Sequence, residues 1–174
     1  MGEPERKRFR VAPDRSAVIV RARSNVGHIE FATTELAGVI DIDSDGTGVL
    51  TDQAPKATVE VDVGTLASGN ALYDAELRRR IDARRFPSAV VELRAADRVE
   101  SSDRYVLNGT LTMHGITREV SGTVTARFRE PASIVITGEH VFDIRDFDLP
   151  APATMMLKIY PDVRVQLHLE ADAD

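Results

Sequence analysis

The 174-residue chain contains no cysteine and no tryptophan, and its aromatic residues amount to three tyrosines and six phenylalanines. Without cysteine there is no disulfide and no thiolate metal site, a composition at home in a reducing compartment. So few aromatics leave no platform for stacking bases. The net charge of −6 has the wrong sign for displacing counterions from a phosphate backbone, so nucleic acid is not an expected partner. No stretch approaches the ~20 apolar residues of a membrane span. The N-terminal MGEPERKRFRVAPD carries Arg6, Lys7, Arg8 and Arg10 without a following apolar stretch, so it does not read as a secretory signal, and Arg6 breaks the myristoylation pattern. The expected location is cytoplasmic.

What the chain does have is alternation. In ATVEVDV, Ala57, Val59, Val61 and Val63 share one face while Thr58, Glu60 and Asp62 share the other; VRVQLHL repeats the pattern near the end. Eight such runs fall at about 16–24, 35–43, 57–63, 88–96, 104–113, 118–129, 133–143 and 162–170. Eight short strands with almost no helix predict an all-β sandwich or closed antiparallel barrel. The exception is GNALYDAELRRRIDARRF, where Tyr73, Leu77 and Ile81 recur at four-residue spacing. One or two helical turns are expected over about 71–84, between the third and fourth runs, started by Asn70 or Asp74 and barred by Pro87. The length fits a single domain. It is expected over 16–170, with 1–15 as a flexible or partly ordered extension and 171–174 as a tail.

If the apolar parity points inward, the lining comprises Val20; Leu36, Gly38 and Ile40; Val59 and Val61; Val91; Leu107 and Leu111; Val124; Ile136, His140 and Phe142; and Val165. Leu77 and Ile81 join from the helical segment. Gly109, Gly122 and Gly138 and alanines 22, 57, 89 and 126 share that parity. Small residues leave volume for a hydrocarbon-like ligand; equally, glycines relieve strain where barrel strands bend.

Few constellations suggest chemistry. DIDSDGTGVLTD places Asp41, Asp43, Asp45 and Gly46 as in a calcium loop, but Asp52 stands where glutamate is expected and a strand pattern precedes it, so a hairpin loop is expected. No metal site is predicted, because the four histidines lack ligand spacing. His168 lies on the polar parity. His114, in the turn His114–Thr117 of LTMHGITREV, reads as a hairpin corner beside Gly115. Asp143, Asp146 and Asp148 around Arg145 are expected to form local hydrogen bonds and an ion pair. Arginines of the helical segment outnumber its acids, and Arg78, Arg79 and Arg84 are candidates to meet an anionic head group. A solvated helix face would carry the same charges.

The order of pieces resembles the YceI-like family. They are SAVIVRARSNVGHIEFATTELAGVIDID, ATVEVDVGTLASGN with YDAELRRRIDARRFPSAVVELR, YVLNGTLTMHGITREVSGTV, and TGEHVFDIRDFDL. The resemblance covers about residues 16–170. It implies a lipocalin-like barrel of eight antiparallel strands with a helical insertion and an elongated apolar pore that takes polyisoprenoid lipids or isoprenoid quinone-like molecules. It further implies no catalytic residue, no cofactor beyond such a ligand, and a possible homodimer. Gly38, Asp74, Pro87, Gly109, His114, Gly115 and Asp146 match recurrent positions that look architectural, whereas Asp148 stands where the family often has glycine. Three functions are open: non-catalytic binding, sequestration or transport of a long-chain apolar lipid; a small barrel enzyme acting on an apolar substrate, with His140 or another inward polar residue as acid or base; and a packed barrel that binds a protein partner.

Overall fold

Alternation along the chain becomes the two faces of a wall. The computed structural model describes residues 5–44, 48–50, 54–129, 132–149, 153–154 and 157–174. Among these lie twelve strands and one α-helix. The strands are β1 (Glu5–Val11), β2 (Ala17–Ser24), β3 (Gly27–Thr33), β4 (Leu36–Ser44), β5 (Val49–Leu50) and β6 (Lys56–Asp62); then, after the helix α1 (Ala71–Arg80), β7 (Ser88–Arg98), β8 (Arg104–Met113), β9 (Ile116–Arg129), β10 (Ser133–Asp143), β11 (Ala153–Thr154) and β12 (Leu157–Ala173). They form a closed, eight-stranded antiparallel barrel, in which β4, β6, β7, β8, β9, β10 and β12 follow one another around the wall.

Closure depends on β12. One edge pairs with β10; the other pairs with β2 over Ile159–His168 and with β1 over Ala171–Ala173. β1 and β2 are therefore two halves of one stave, offset by a 3-10 turn at Pro13–Arg15. Proline has no N–H for the ladder, which favours a break there. The hydroxyl of Ser16 secures the break by donating to the Ala12 carbonyl (2.8 Å) and accepting the Glu170 N–H (3.0 Å). β3 and β4 likewise form one broken stave: β1 pairs with β4, and β2 with β3. Beyond the β4–β6 ladder, Ala32 and Ala67 exchange backbone hydrogen bonds of 2.9 and 3.0 Å and carry the wall on from β3.

The expected strand count thus needs revision in its parts. Residues 5–11 form half a stave instead of lying outside the barrel, residues 27–33 are a strand that the sequence reading passed over, and the last strand runs through 171–173. In chain order α1 follows β6, so it does not lie between a third and a fourth strand. It also stops at Arg80, earlier than expected. The Asn70 side chain accepts the N–H groups of Leu72 (3.0 Å) and Tyr73 (3.3 Å), a cap worth ~1 kcal/mol. At the other end Asp82 adopts φ 50°, and Ala83 N–H reaches back to the Arg78 carbonyl (3.0 Å), which satisfies the last carbonyls with aspartate where glycine is usual.

The outer face carries cross-strand ion pairs: Arg8–Asp41 (2.9 Å), Arg21–Glu30 (2.6 Å), Arg23–Asp162 (2.7 Å) and Arg164–Glu139. Each is exposed and contributes little individually, ~0–1 kcal/mol. The interior is organised as two apolar clusters. One contains Phe9, Leu36, Ile40, Tyr105, Ile134 and Leu169; the other contains Ile29, Phe31, Leu66, Ile81, Leu111, Phe147 and Leu149.

Candidate functional site

Residues directly opposite in an antiparallel ladder share a face, so the register identifies the lining. One row reads Gly38, Val59, Val91, Leu111; another reads Phe31, Val20, Val165, His140. Leu36 and Ile40 are buried in the first cluster, with Val20, Val59, Val61, Leu107, Val124, Ile136 and Val165 packed against it and only partly buried. Ile81 and Leu111 are buried in the second, joined by Leu77 and Phe142, and Val20 touches both clusters. Helix α1 and the residue that follows it thereby insert Tyr73, Leu77 and Ile81 into the apolar end that Phe147 and Leu149 also fill.

Between the clusters the wall is not covered. Val91 is 39% exposed although its ladder partners Val59 and Leu111 fix it to the inner face, and it belongs to neither cluster. An aliphatic side chain inside a closed wall with that much free surface faces open space.

The inward glycines divide into two kinds. A Cβ on Gly38 would lie 2.3 Å from the Thr58 carbonyl oxygen, and one on Gly109 would lie 2.2 Å from that of Glu92. Close backbone approach requires glycine at both positions whatever the barrel holds. At Gly122 the nearest atom to such a Cβ is Nδ1 of His140 at 3.4 Å, so this glycine gives room to a side chain. His140 also meets Phe142 edge to face, with ring centroids 4.5 Å apart.

Other candidates occupy the ends and the surface. His114 and Gly115 form a two-residue turn, shorter than the expected four, with φ of 55° and 74°; positive φ at both central residues matches the twist of a tight hairpin. The His114 ring packs edge-on against Phe86 (5.0 Å) and its Nδ1 lies 3.1 Å from the Phe147 carbonyl oxygen. Asp143 pairs with Arg145 (2.6 Å); the guanidinium, then the Arg145 N–H, hold its carboxyl down at about 2. Asp148 has φ 58°, a left-handed conformation that glycine adopts most easily. Arg79 is engaged by Glu76 (2.8 Å), whereas Arg78 and Arg84 are exposed without an ion pair among the described residues. His28 and His168 are exposed, the latter 3.3 Å from Glu170. Asp41 and Asp43 of the calcium-like pattern pair with Arg8 and Arg6 on β1, while Asp45, Gly46 and Asp52 lie outside the described residues. Among the described residues no three acidic or histidine side chains gather to hold a metal.

Tyr105 was missed as an interior residue. It is buried, its hydroxyl accepts the Val49 N–H (2.9 Å), and Arg98 lies over its ring at 5.9 Å. Its parity with Leu107 was the available signal. A groove of about 540 Å³ runs along β2, β8, β9, β10 and β12, lined by the outward Thr125, Thr137 and His168 together with Val124, Gly138 and Leu167 of the inward parity.

A closed barrel with an exposed apolar lining is what the fold comparisons address. The model of the YceI-like domain matches residues 9–171. The chain belongs to the YceI-like family. A crystal structure of BcnA from Burkholderia cenocepacia is similar at TM-score 0.76 and 20% identity, over 92% of this chain and 98% of that one. A polyisoprenoid binding domain from Saccharophagus degradans, implicated in plant cell wall breakdown, is similar at TM-score 0.73 and 14% identity, over 95% and 98%. The Campylobacter jejuni YceI protein is similar at TM-score 0.64 and 15% identity, over 80% and 82%. No curated protein matches the chain in sequence. At these identities the likenesses establish the YceI-like barrel.

Proposed function

We propose that this YceI-like protein binds a long-chain apolar lipid, of isoprenoid or similar kind, inside its barrel and sequesters or transports it without chemical change. The observation that carries this reading is Val91, an inward aliphatic residue of a closed wall that nonetheless has 39% of its surface free. Burying apolar surface is worth ~25 cal/mol per Å², or ~0.8 kcal/mol per methylene, so a chain of a few isoprene units gains substantial free energy before immobilisation losses. The polyisoprenoid-binding domain of similar fold supports an isoprenoid as the first ligand to try. We take Arg78 and Arg84 as the candidates to meet an anionic group on such a ligand, because both are exposed without an ion pair among the described residues, whereas Arg79 is engaged by Glu76.

The test is mass spectrometry of the organic extract of freshly purified protein, set beside the native mass of the intact complex. A single apolar species per chain, lost on extraction, is the expected result. Recovery of no lipid, with no uptake of added quinones or polyprenols, would overturn the reading.

A further inference from the structure

His140 is an odd residue for an apolar lining. The register places it with Phe31, Val20 and Val165 at mid-wall, because Val20 packs against both end clusters. Gly122 leaves it room, and Phe142 supports it edge to face. The lysine and arginine side chains on inward parity, Lys7, Arg98 and Arg118, lie near the ends of their strands, where Arg98 donates to the Ser102 carbonyl (2.8 Å) and Arg118 to the Asp146 carbonyl (2.9 Å). Neither ring nitrogen of His140 has a hydrogen-bond partner among the described residues, and no unpartnered side-chain nitrogen or oxygen there is sealed from accessible space. An imidazole can donate from one nitrogen and accept at the other. In an apolar pore filled by pure hydrocarbon both would lose water and gain nothing, which costs free energy.

We propose that His140 is the polar recognition point of the pore and selects a long-chain ligand carrying a hydrogen-bonding oxygen, a hydroxyl or a carbonyl, seated at mid-barrel. This rests on the pore-binding reading above and adds where the ligand's polar atom lies. Exposed arginines such as Arg78 and Arg84 would recognise charge; His140 distinguishes a neutral oxygenated chain from a hydrocarbon.

The probes are hexadecan-1-ol and hexadecane, delivered to delipidated protein and scored by displacement of a fluorescent long-chain reporter. His140→Phe removes both hydrogen-bonding nitrogens while keeping a flat ring. It should lower affinity for the alcohol relative to the alkane by roughly three- to ten-fold, the effect of one hydrogen bond. A far-UV circular dichroism spectrum and thermal transition like those of the unsubstituted protein show that the barrel is intact, so that the alcohol-to-alkane ratio reports recognition alone. His140→Gln, which can still donate and accept, should recover part of the preference. An alcohol-to-alkane ratio in His140→Phe equal to that of the unsubstituted protein would overturn the proposal while leaving pore binding standing. Failure of the unsubstituted protein to take up either probe would overturn pore binding itself, and the role of His140 with it.

Discussion

Single residues hold the corners of this barrel. Gly115 has φ 74°, and a Cβ there would sit 2.9 Å from Cε1 of Phe86. Gly115→Ala combines strain of ~1–2 kcal/mol with displacement of the Phe86 ring, and should destabilise more than His114→Ala, which removes one hydrogen bond of ~1 kcal/mol. Urea unfolding of the two variants makes the comparison; equal costs would mean that the turn is held by its side chain and not by its backbone. The Asp143 carboxyl is depressed in the folded state, so its pairing with Arg145 stabilises the protein fully above its ordinary carboxylate value and loses that contribution as the pH falls through about 2. A carbon-detected NMR titration should find the Asp143 midpoint near 2, and a midpoint at the ordinary value would show that the Arg145 contact is not held in solution. At this scale the sequence was legible for His114, whose turn glycine marks a corner, and for the Asp143–Arg145 pair. It could not reveal that Gly38 and Gly109 answer to neighbouring backbone while Gly122 makes room for His140, because all three have the same parity.

Among the elements, those with plain alternation were readable and those with disguised alternation were not. In β1 the inward Phe9 and Val11 alternate with Arg6, Arg8 and Arg10, whose charges make the segment look like a solvated extension. They pair with Asp43, Asp41 and Asp174, so the cationic row belongs to the barrel's outer surface. Phe9 is 2% exposed in the first cluster. Phe9→Ala should cost ~3–5 kcal/mol, whereas Leu72→Ala, at an 80% exposed site on α1, should stay within about 0.5 kcal/mol. Similar small losses for both in chemical denaturation would place β1 outside the cooperative unit. The end of α1 was obscured for a related reason: its left-handed cap residue is Asp82, so the sequence carries no glycine to mark it.

For the whole molecule, eight alternating runs carried the fold class, and the order of motifs carried the family. The broken staves stayed hidden because each half reads as a separate short strand, and the offset between them is visible only where β12 pairs with both. The inner face followed from parity, but whether it encloses space depends on packing, which parity does not contain. Val91→Trp tests that property. In a packed interior the added ring would cost ~1–3 kcal/mol through overcrowding; in an open pore it occupies the room meant for ligand. The decisive measurement is native mass spectrometry of delipidated protein titrated with a polyprenol, for the unsubstituted chain and Val91→Trp side by side. An open apolar pore gives one polyprenol per barrel in the first and at least roughly ten-fold weaker uptake in the second, since a loss of ~1.4 kcal/mol suffices. Equal uptake by both, or uptake by neither, would contradict it.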